Sequence, residues 1–409
     1  MTESYSPEIV PVEWTNDKSI IKVLGVGGGG CNAVNYMYGL GIKGCEFIVA
    51  NTNQASLEQY IVPSKIQLGS SGLGAGTIPS VGRNAALEAQ EEIAEKVLDS
   101  GTKMLFITAG MGGGTGTGAS PVIARMARER GILTVAVVTI PFLNEGVDAQ
   151  SRAFEGIQEL ESNTDAIIII NNEKLYKAYG DMLSYEAFPK ADEVLATAVR
   201  GIIEVISFPG YIDVDFQDVS NILKDSGMVL MGSGEGTGPE RIEQAVKQTF
   251  ESPLLSDYDL KSAQKILLNI TSGRNAGGLK MSELETLDEM IKQYVGKASH
   301  FKKGIVWDDD PDFGDKVRIT AIVTGLNLDL SGLNQKAIDN TVVIDDGFDW
   351  SVPSPPKDTH SENPVRVKIG RSSSRVKPID FGGKKPRLCV SPGESTAELE
   401  YTPSIRRGR

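Results

Sequence analysis

Apolar runs of strand length recur through the first half of the chain: IIKVLGV, CEFIVANT, KIQLG, KMLFITA, ILTVAVVTI and AIIIINN, with helix-like segments between them. Near-continuous runs rich in β-branched residues belong to strands covered on both faces, so the pattern predicts a parallel sheet sandwiched by helices. Local punctuation agrees. In ASPVIARMARERG, Ser120 is a candidate cap, Pro121 suits a first helical turn, Arg128 and Arg130 suit the negative end and Gly131 suits a stop. A second helix is predicted from Arg83 to Asp99, and a long one from Glu186 to Ser207, ended by Pro209-Gly210.

Beyond that point the pattern changes. Two helical segments, PERIEQAVKQTF and KMSELETLDEMIKQYVGK, mix with the strand-like KILLNITSG, GIVWDD and VRITAIVTGL, which predicts a smaller α+β domain. Past Leu330 the periodicity fades, and between Val365 and Leu388 eight basic residues face one acid. The predicted plan is a leader over 1–18, an α/β domain over 19–185, a core helix over 186–209, an α+β domain over 210–330, a disordered linker over 331–397 and a terminal peptide over 398–409.

Composition narrows the function classes. A net charge of -13 argues against a general nucleic-acid binder, because a phosphate backbone selects clustered Lys and Arg. The three cysteines, Cys31, Cys45 and Cys389, form no CxxC pair, so neither a disulfide framework nor a zinc site is indicated. The N-terminus has no basic start and no apolar signal-like stretch, and nowhere do about 18 apolar residues run together. A cytoplasmic protein is the expectation. Two histidines, His300 and His360, both lie far in sequence from the glycine loops, which disfavours histidine-centred chemistry.

The candidate chemistry lies in three glycine loops. Gly25, Gly27 and Gly30 satisfy G-x-G-x-x-G after the first strand, which alone reads as a dinucleotide site. A nicotinamide site also wants an acid closing the second strand, and here that strand ends in ANTNQ. Two more loops, GLGAGTIPSVG and GMGGGTGTGAS, follow later strands. Glycines let backbone amides approach phosphate oxygens, with helix N-termini behind them. Three such loops on one sheet edge suit a nucleoside triphosphate better than three unrelated tight turns. No G-x-x-x-x-G-K-[ST] occurs and no lysine lies in the loops, so a Mg²⁺ bridging the phosphates is expected. In YIDVDFQDVSNIL, Asp213, Asp215 and Asp218 could orient water or hold a cation, and a helix cap is an equally good reading of the spacing.

With GVGGGGCNAV, GLGAG, PVIA, GILTVAVVT, VDFQDV and SPLL in order from about Ile20 to Leu328, the loop GGGTGTG over 112–118 resembles the signature of the tubulin/FtsZ family. The resemblance implies a Rossmann-like GTPase domain, a central core helix and a smaller α+β C-terminal domain. It implies GTP and GDP as ligands, Mg²⁺ held through the phosphates, and head-to-tail homopolymers of a division ring at mid-cell, near the inner face of the membrane. It also implies a C-terminal peptide that docks on membrane adaptor and division proteins, and no specific nucleic acid. Carried over, Gly28, Gly29, Gly30, Cys31 and Asn32 belong to the nucleotide site, with Gly74, Ala75 and Gly76 and with Gly114, Thr115 and Gly116. Glu145 would hold the ribose, with Arg152 nearby, and Phe188 and Asp192 would meet the guanine. Asp215 and Asp218, with Asp213, would be the catalytic acids presented to the neighbouring subunit's γ-phosphate.

Four positions depart from the family pattern. Asn53 stands for an acid, the loop before Gly72 is about three residues short, Ala149 stands for an arginine with Arg152 three residues on, and Asp213 stands for an asparagine. An extra carboxylate beside a triphosphate is repulsive unless paired or protonated, so two expectations stand side by side. One is a slowed GTPase or a filament paralogue with little hydrolysis, and the other is compensated drift.

Overall fold

A computed structural model describes residues 19–174, 182, 184–207, 210–212, 214–252, 255, 258–274, 277–295, 299–308 and 313–326. The predicted leader, linker and terminal peptide lie outside these residues, as do Asp213 and the side chain of Phe188. In chain order the elements are β1 (Ile21–Val26), α1 (Gly27–Gly39), β2 (Glu46–Asn51), α2 (Gln54–Gln59), β3 (Ser64–Gln67), α3 (Pro79–Glu88), α4 (Gln90–Lys96), β4 (Met104–Gly110) and α5 (Thr115–Glu129). They continue with β5 (Leu133–Ile140), a 3-10 turn (Leu143–Glu145), α6 (Val147–Ser162), β6 (Ala166–Asn171), the long helix α7 (Ser184–Ser207), β7 (Gly210–Ile212) and α8 (Phe216–Leu223). The last seven are β8 (Gly227–Gly236), α9 (Arg241–Phe250), a second 3-10 turn (Leu260–Ser262), β9 (Lys265–Gly273), α10 (Met281–Val295), β10 (His300–Asp308) and β11 (Val317–Thr324).

The six apolar runs of the first half are the six strands β1 to β6, paired in parallel in the order β3-β2-β1-β4-β5-β6. Parallel order puts every strand's C-terminal end, and hence every following loop, on one edge. The sheet continues through β8, which pairs with β6 over three residues only, into a mixed half ordered β8-β11-β9-β10-β7. Helix α7 crosses beneath both. Its Leu195, Val199, Ile202 and Ile203 share one buried cluster with Val34 and Met37 of α1, Val135 of β5, Ile168 of β6 and Leu267 of β9.

Three elements differ from the sequence reading. Strand β8, GMVLMGSGEG, is not among the strands predicted, and its glycines are spaced to receive a helix. A Cβ on Gly232, Gly234 or Gly236 would lie 2.2, 2.5 and 1.9 Å from carbonyl oxygens of α9. The helix predicted over 83–99 is two helices, interrupted at Ala89 (φ -92°, ψ 11°), with no Pro or Gly to mark the break. Finally, α5 begins at Thr115, five residues before the predicted cap. Ser120 is buried inside it with an unpartnered hydroxyl, and Pro121 sits in its interior, where it offers no N–H to the Thr117 carbonyl. The early start is a packing matter: a Cβ on Gly116 would meet the Gly110 oxygen at 2.5 Å, and one on Gly118 would meet the Pro79 oxygen of α3 at 1.9 Å.

Candidate functional site

Three helices begin at the C-terminal edge of the parallel strands, and all three begin bare. α1 follows β1 directly, α3 follows the loop after β3, and α5 follows the loop after β4. None has a side-chain cap or an acid in its first turn. By contrast Asn53 accepts from Ser56 N at 3.1 Å on α2 and Asp215 accepts from Asp218 N at 2.8 Å on α8, while α4, α6 and α9, which also lack a side-chain cap, each hold an acid in the first turn. The first turn of a helix leaves its amides unpaired and its end positive, so uncapped starts gathered in one place are an anion site. They do gather. Gly27 lies so close to α5 that a Cβ there would be 2.9 Å from Gly116 N, and one on Gly114 would be 2.8 Å from both Ala75 Cβ and Ile78 N.

The glycines divide by cause. Gly25 and Gly30 are demanded by helix-on-strand packing, since Cβ atoms there would lie 2.5 Å from Gly30 O and 2.1 Å from Thr108 O. Gly114 and Gly116 are buried and packed in the same way. Gly28 and Gly113 are different: both are exposed, neither has positive φ, and nothing lies within 4 Å of their Cβ positions. The fold gives no reason for glycine at either place. A ligand pressed against the backbone gives one, and Gly113 is a position that sequence reasoning missed inside the loop it had singled out.

Around these loops the structure gathers most of the predicted residues. Gly74 (φ +89°) is tied by its N–H to Thr52 O at 3.1 Å, Ala75 is buried, and Gly76 (φ +53°) is exposed. The next residue, Thr77, holds φ +62°, a left-handed conformation that a β-branched residue adopts only under constraint. Thr52 and Thr115 share a buried hydroxyl hydrogen bond of 2.6 Å, which fixes the end of β2 to the start of α5. Glu145 is exposed, one carboxylate oxygen accepting from Phe142 N at 2.8 Å. Arg152 Nε donates to Gly112 O at 2.8 Å, so this arginine does reach the loop. Ala149 is buried where its carbonyl would lie 2.9 Å from a Cβ on Gly112.

Beside α1 lies a second, half-buried group. Tyr60 donates to Asn32 Oδ1 at 3.1 Å, and its hydroxyl is pushed up to about 12, first by burial and then by the nearby Cys31 and Asp192. Burial raises the Asp192 carboxyl to about 6. Tyr60 had no sequence signal. The Cys31 sulfur points inward to Gly25 O and Ala50 O, both at 3.4 Å, and burial pushes it up to about 12, so only the backbone of Cys31 is left to face the loops. The helix start does not offset that burial.

The aspartates stand apart from this site. Asp215 and Asp218 form a reciprocal capping box on α8, with Asp215 N donating to Asp218 Oδ2 at 3.3 Å, and Asp218 also pairs with Lys302 Nζ at 2.7 Å. Asp192 stands near the start of α7, whereas Ser207 at its other end abuts Gly44, beyond the far end of α1. At about 1.5 Å per residue, Asp192 and Ser207 are roughly 22 Å apart along α7, and the acids of α8 follow the Ser207 end. Among the described residues no group of three or more His, Cys, Asp or Glu side chains is placed to hold a metal ion.

Residues 20–180 match the model of the Tubulin/FtsZ family GTPase domain, and residues 227–327 match that of the FtsZ family C-terminal domain. The chain is 46% identical over 328 residues to the cell division protein FtsZ of Azotobacter vinelandii, covering 79% of this chain and 81% of that one. An empty FtsZ dimer from M. jannaschii superimposes with a TM-score of 0.70 at 35% identity, covering 77% of this chain and 90% of that one. CetZ2 from Haloferax volcanii, solved as a GTPγS-bound protofilament, shares the fold at TM-score 0.65 and 18% identity, covering 78% of this chain and 98% of that one.

Proposed function

Because the chain belongs to the FtsZ family of tubulin-like GTPases, we propose that it is a cell-division protein that binds GTP at the glycine-loop edge, stacks head to tail and hydrolyses GTP at each junction. It is a GTPase, it binds guanine nucleotide, and it associates with itself. The observation that carries the junction chemistry is the separation of the two half-sites. Bare helix starts lie at one end of α7 and the Asp215–Asp218 pair follows its other end. One subunit cannot bring them together, whereas a second copy stacked end on end does. Exposed apolar side chains support contact at both ends: Leu73 and Ile78 flank the loops, and Ile212 lies just before the aspartates.

In this reading the amides at Gly28, Gly29, Gly113, Gly114 and Thr115 hold the phosphates, with Gly74, Ala75 and Gly76 closing over them. Glu145 holds the ribose, with Arg152 beside it. Asp192 accepts from guanine N1–H and N2–H, a donor pair that adenine lacks. Asp215 and Asp218 orient water at the neighbour's γ-phosphate. A Mg²⁺ bound through phosphate oxygens supplies charge neutralisation, which suits loops that contain no lysine. The domain plan is 19–185 for nucleotide, 186–209 for the core helix and 210–330 for the acids. The protein acts at the septum, and residues 398–409 recruit it to the membrane through an adaptor.

Sedimentation with GTP, GDP or NAD in the presence of Mg²⁺, with released phosphate measured in the same tube, tests the reading. GTP-dependent pelleting with phosphate release is expected. Pelleting without release selects a non-hydrolysing filament protein instead, and neither response overturns the assignment. Truncation at about Ser391 is expected to spare polymerisation and abolish membrane recruitment, and loss of polymerisation would contradict that division of labour.

A further inference from the structure

Strand β10, HFKKGIVWD, carries two adjacent lysines that alternate between its faces. Lys303 reaches Asp288 of α10 on one side at 2.8 Å, while Lys302 reaches Asp218 on the other at 2.7 Å. Lys303 accounts for itself as an ordinary helix-to-sheet ion pair. Lys302 does not, because it sets a positive charge over the N-terminal turn of α8, the end that the helix dipole makes positive already. For comparison, Lys265 of the neighbouring strand β9 donates to Asn221 O near the other end of α8, at 2.7 Å, where the dipole favours a cation. Helix stability therefore explains Lys265 and not Lys302. What Lys302 serves is the carboxylate.

That carboxylate has a defined geometry. Asp218 Oδ2 accepts from Lys302 Nζ and from Asp215 N, while Asp218 N donates to Asp215 Oδ1 at 2.8 Å. The two acids and the lysine make one rigid unit at the start of α8. The sequence adds Asp213 only two residues before Asp215, so the end of the molecule brought against a neighbour's triphosphate holds three carboxylates within six residues. Like charges that close to a polyanion oppose assembly unless a cation accompanies them.

We propose that Lys302 is a positioning residue for GTP hydrolysis in the neighbouring subunit: it holds the Asp218 carboxylate in place and supplies the counter-charge that lets the acidic end meet a triphosphate. This rests on the reading that Asp215 and Asp218 act across the subunit junction. Lys302 never contacts the nucleotide of its own subunit, so nucleotide affinity and turnover must separate.

The test measures phosphate release per pelleted subunit at saturating GTP, together with GTP affinity of the unassembled protein, for the full chain and for K302M, K302R, D218N and K302M/D218N. K302M is expected to lower turnover about five- to tenfold and leave GTP affinity within twofold, with K302R within twofold of the parent. K302M/D218N is expected to be no slower than D218N. Parent-like turnover in K302M beside a slow D218N overturns the proposal, as does a K302M defect that arginine fails to restore or that reappears in full on D218N. Parent-like turnover in D218N itself overturns the junction reading instead.

Discussion

Arg152 Nε donates a 2.8 Å hydrogen bond to the Gly112 carbonyl oxygen, joining α6 to the loop that precedes α5. Sequence alone left a gap where Ala149 stands, with Arg152 nearly a helical turn away. The structure closes it: Ala149 is buried with its carbonyl against Gly112, and the guanidinium arrives from the next turn. Arg152→Ala is therefore expected to lower GTP turnover at least tenfold while changing urea stability by less than about 1 kcal/mol, since one partly buried hydrogen bond is worth about that much. Arg152→Lys should recover little, because lysine places a methylene where Nε stands and its ammonium one bond further out, so it does not reproduce the Nε–H contact or the planar fork. Turnover and urea midpoints on the same preparations check both expectations.

The two kinds of glycine predict opposite behaviour. Gly30→Ala places a Cβ 2.1 Å from Thr108 O in a buried interface and is expected to cost about 3 kcal/mol or more, or to prevent folding. Gly28→Ala adds a methyl to open space inside a helix, so stability is expected to hold or rise by about 0.5–1 kcal/mol. Yet the added methyl crowds the amides that meet phosphate, and GTP affinity is expected to fall at least tenfold. Urea unfolding without nucleotide, paired with GTP titration, separates stability from binding. If Gly28→Ala bound GTP like the parent, the assignment of that amide would be wrong.

How far the sequence reached follows from what each residue is constrained by. Strands β1 to β6 were legible because burial on both faces writes an apolar run, and the edge they share follows from parallel order. β8 was not legible, since helix α9 presses so close that alternate positions must be glycine, and glycine reads as loop. The phosphate loops were legible as a group but not residue by residue. In GMGGGTGTGAS, Gly112 answers to positive φ and packing, Gly114, Gly116 and Gly118 answer to packing, and Gly113 is the one that faces open space. Tyr60 and Lys302 gave no signal, because their roles come from partners 28 and 84 positions away in sequence.

Cys31 illustrates a local rule overruled by burial. A helix N-terminus favours thiolate, but this sulfur is buried between α1 and strands β1 and β2 and is pushed up to about 12, and Cys45 is raised equally by burial. In the folded protein at pH 8, neither thiol is expected to react with iodoacetamide over hours, and mass spectrometry should find both alkylated only once urea unfolds the chain. Modification of Cys31 in the native state, at a rate independent of urea, would show that α1 opens locally at the phosphate edge.

Asp192 provides a pH signature for guanine recognition. Burial raises its carboxyl from 3.8 to about 6, so the folded apo protein holds this proton more tightly than the unfolded chain does. The stability contribution of the group therefore falls as pH rises from about 4 to 6 and is level above that. Guanine N1–H and N2–H need the ionised form, so nucleotide binding pulls the other way and releases the proton. Between pH 5 and 7 the ionised fraction rises about tenfold, and GTP affinity is expected to rise by about that factor. The phosphates titrate in the same range, so the comparison is with Asp192→Asn, which keeps the nucleotide's own titration and removes the carboxyl. Isothermal titration at several pH values should give a steeper rise for the parent than for the variant. Equal slopes would mean that Asp192 is not the group that meets the base.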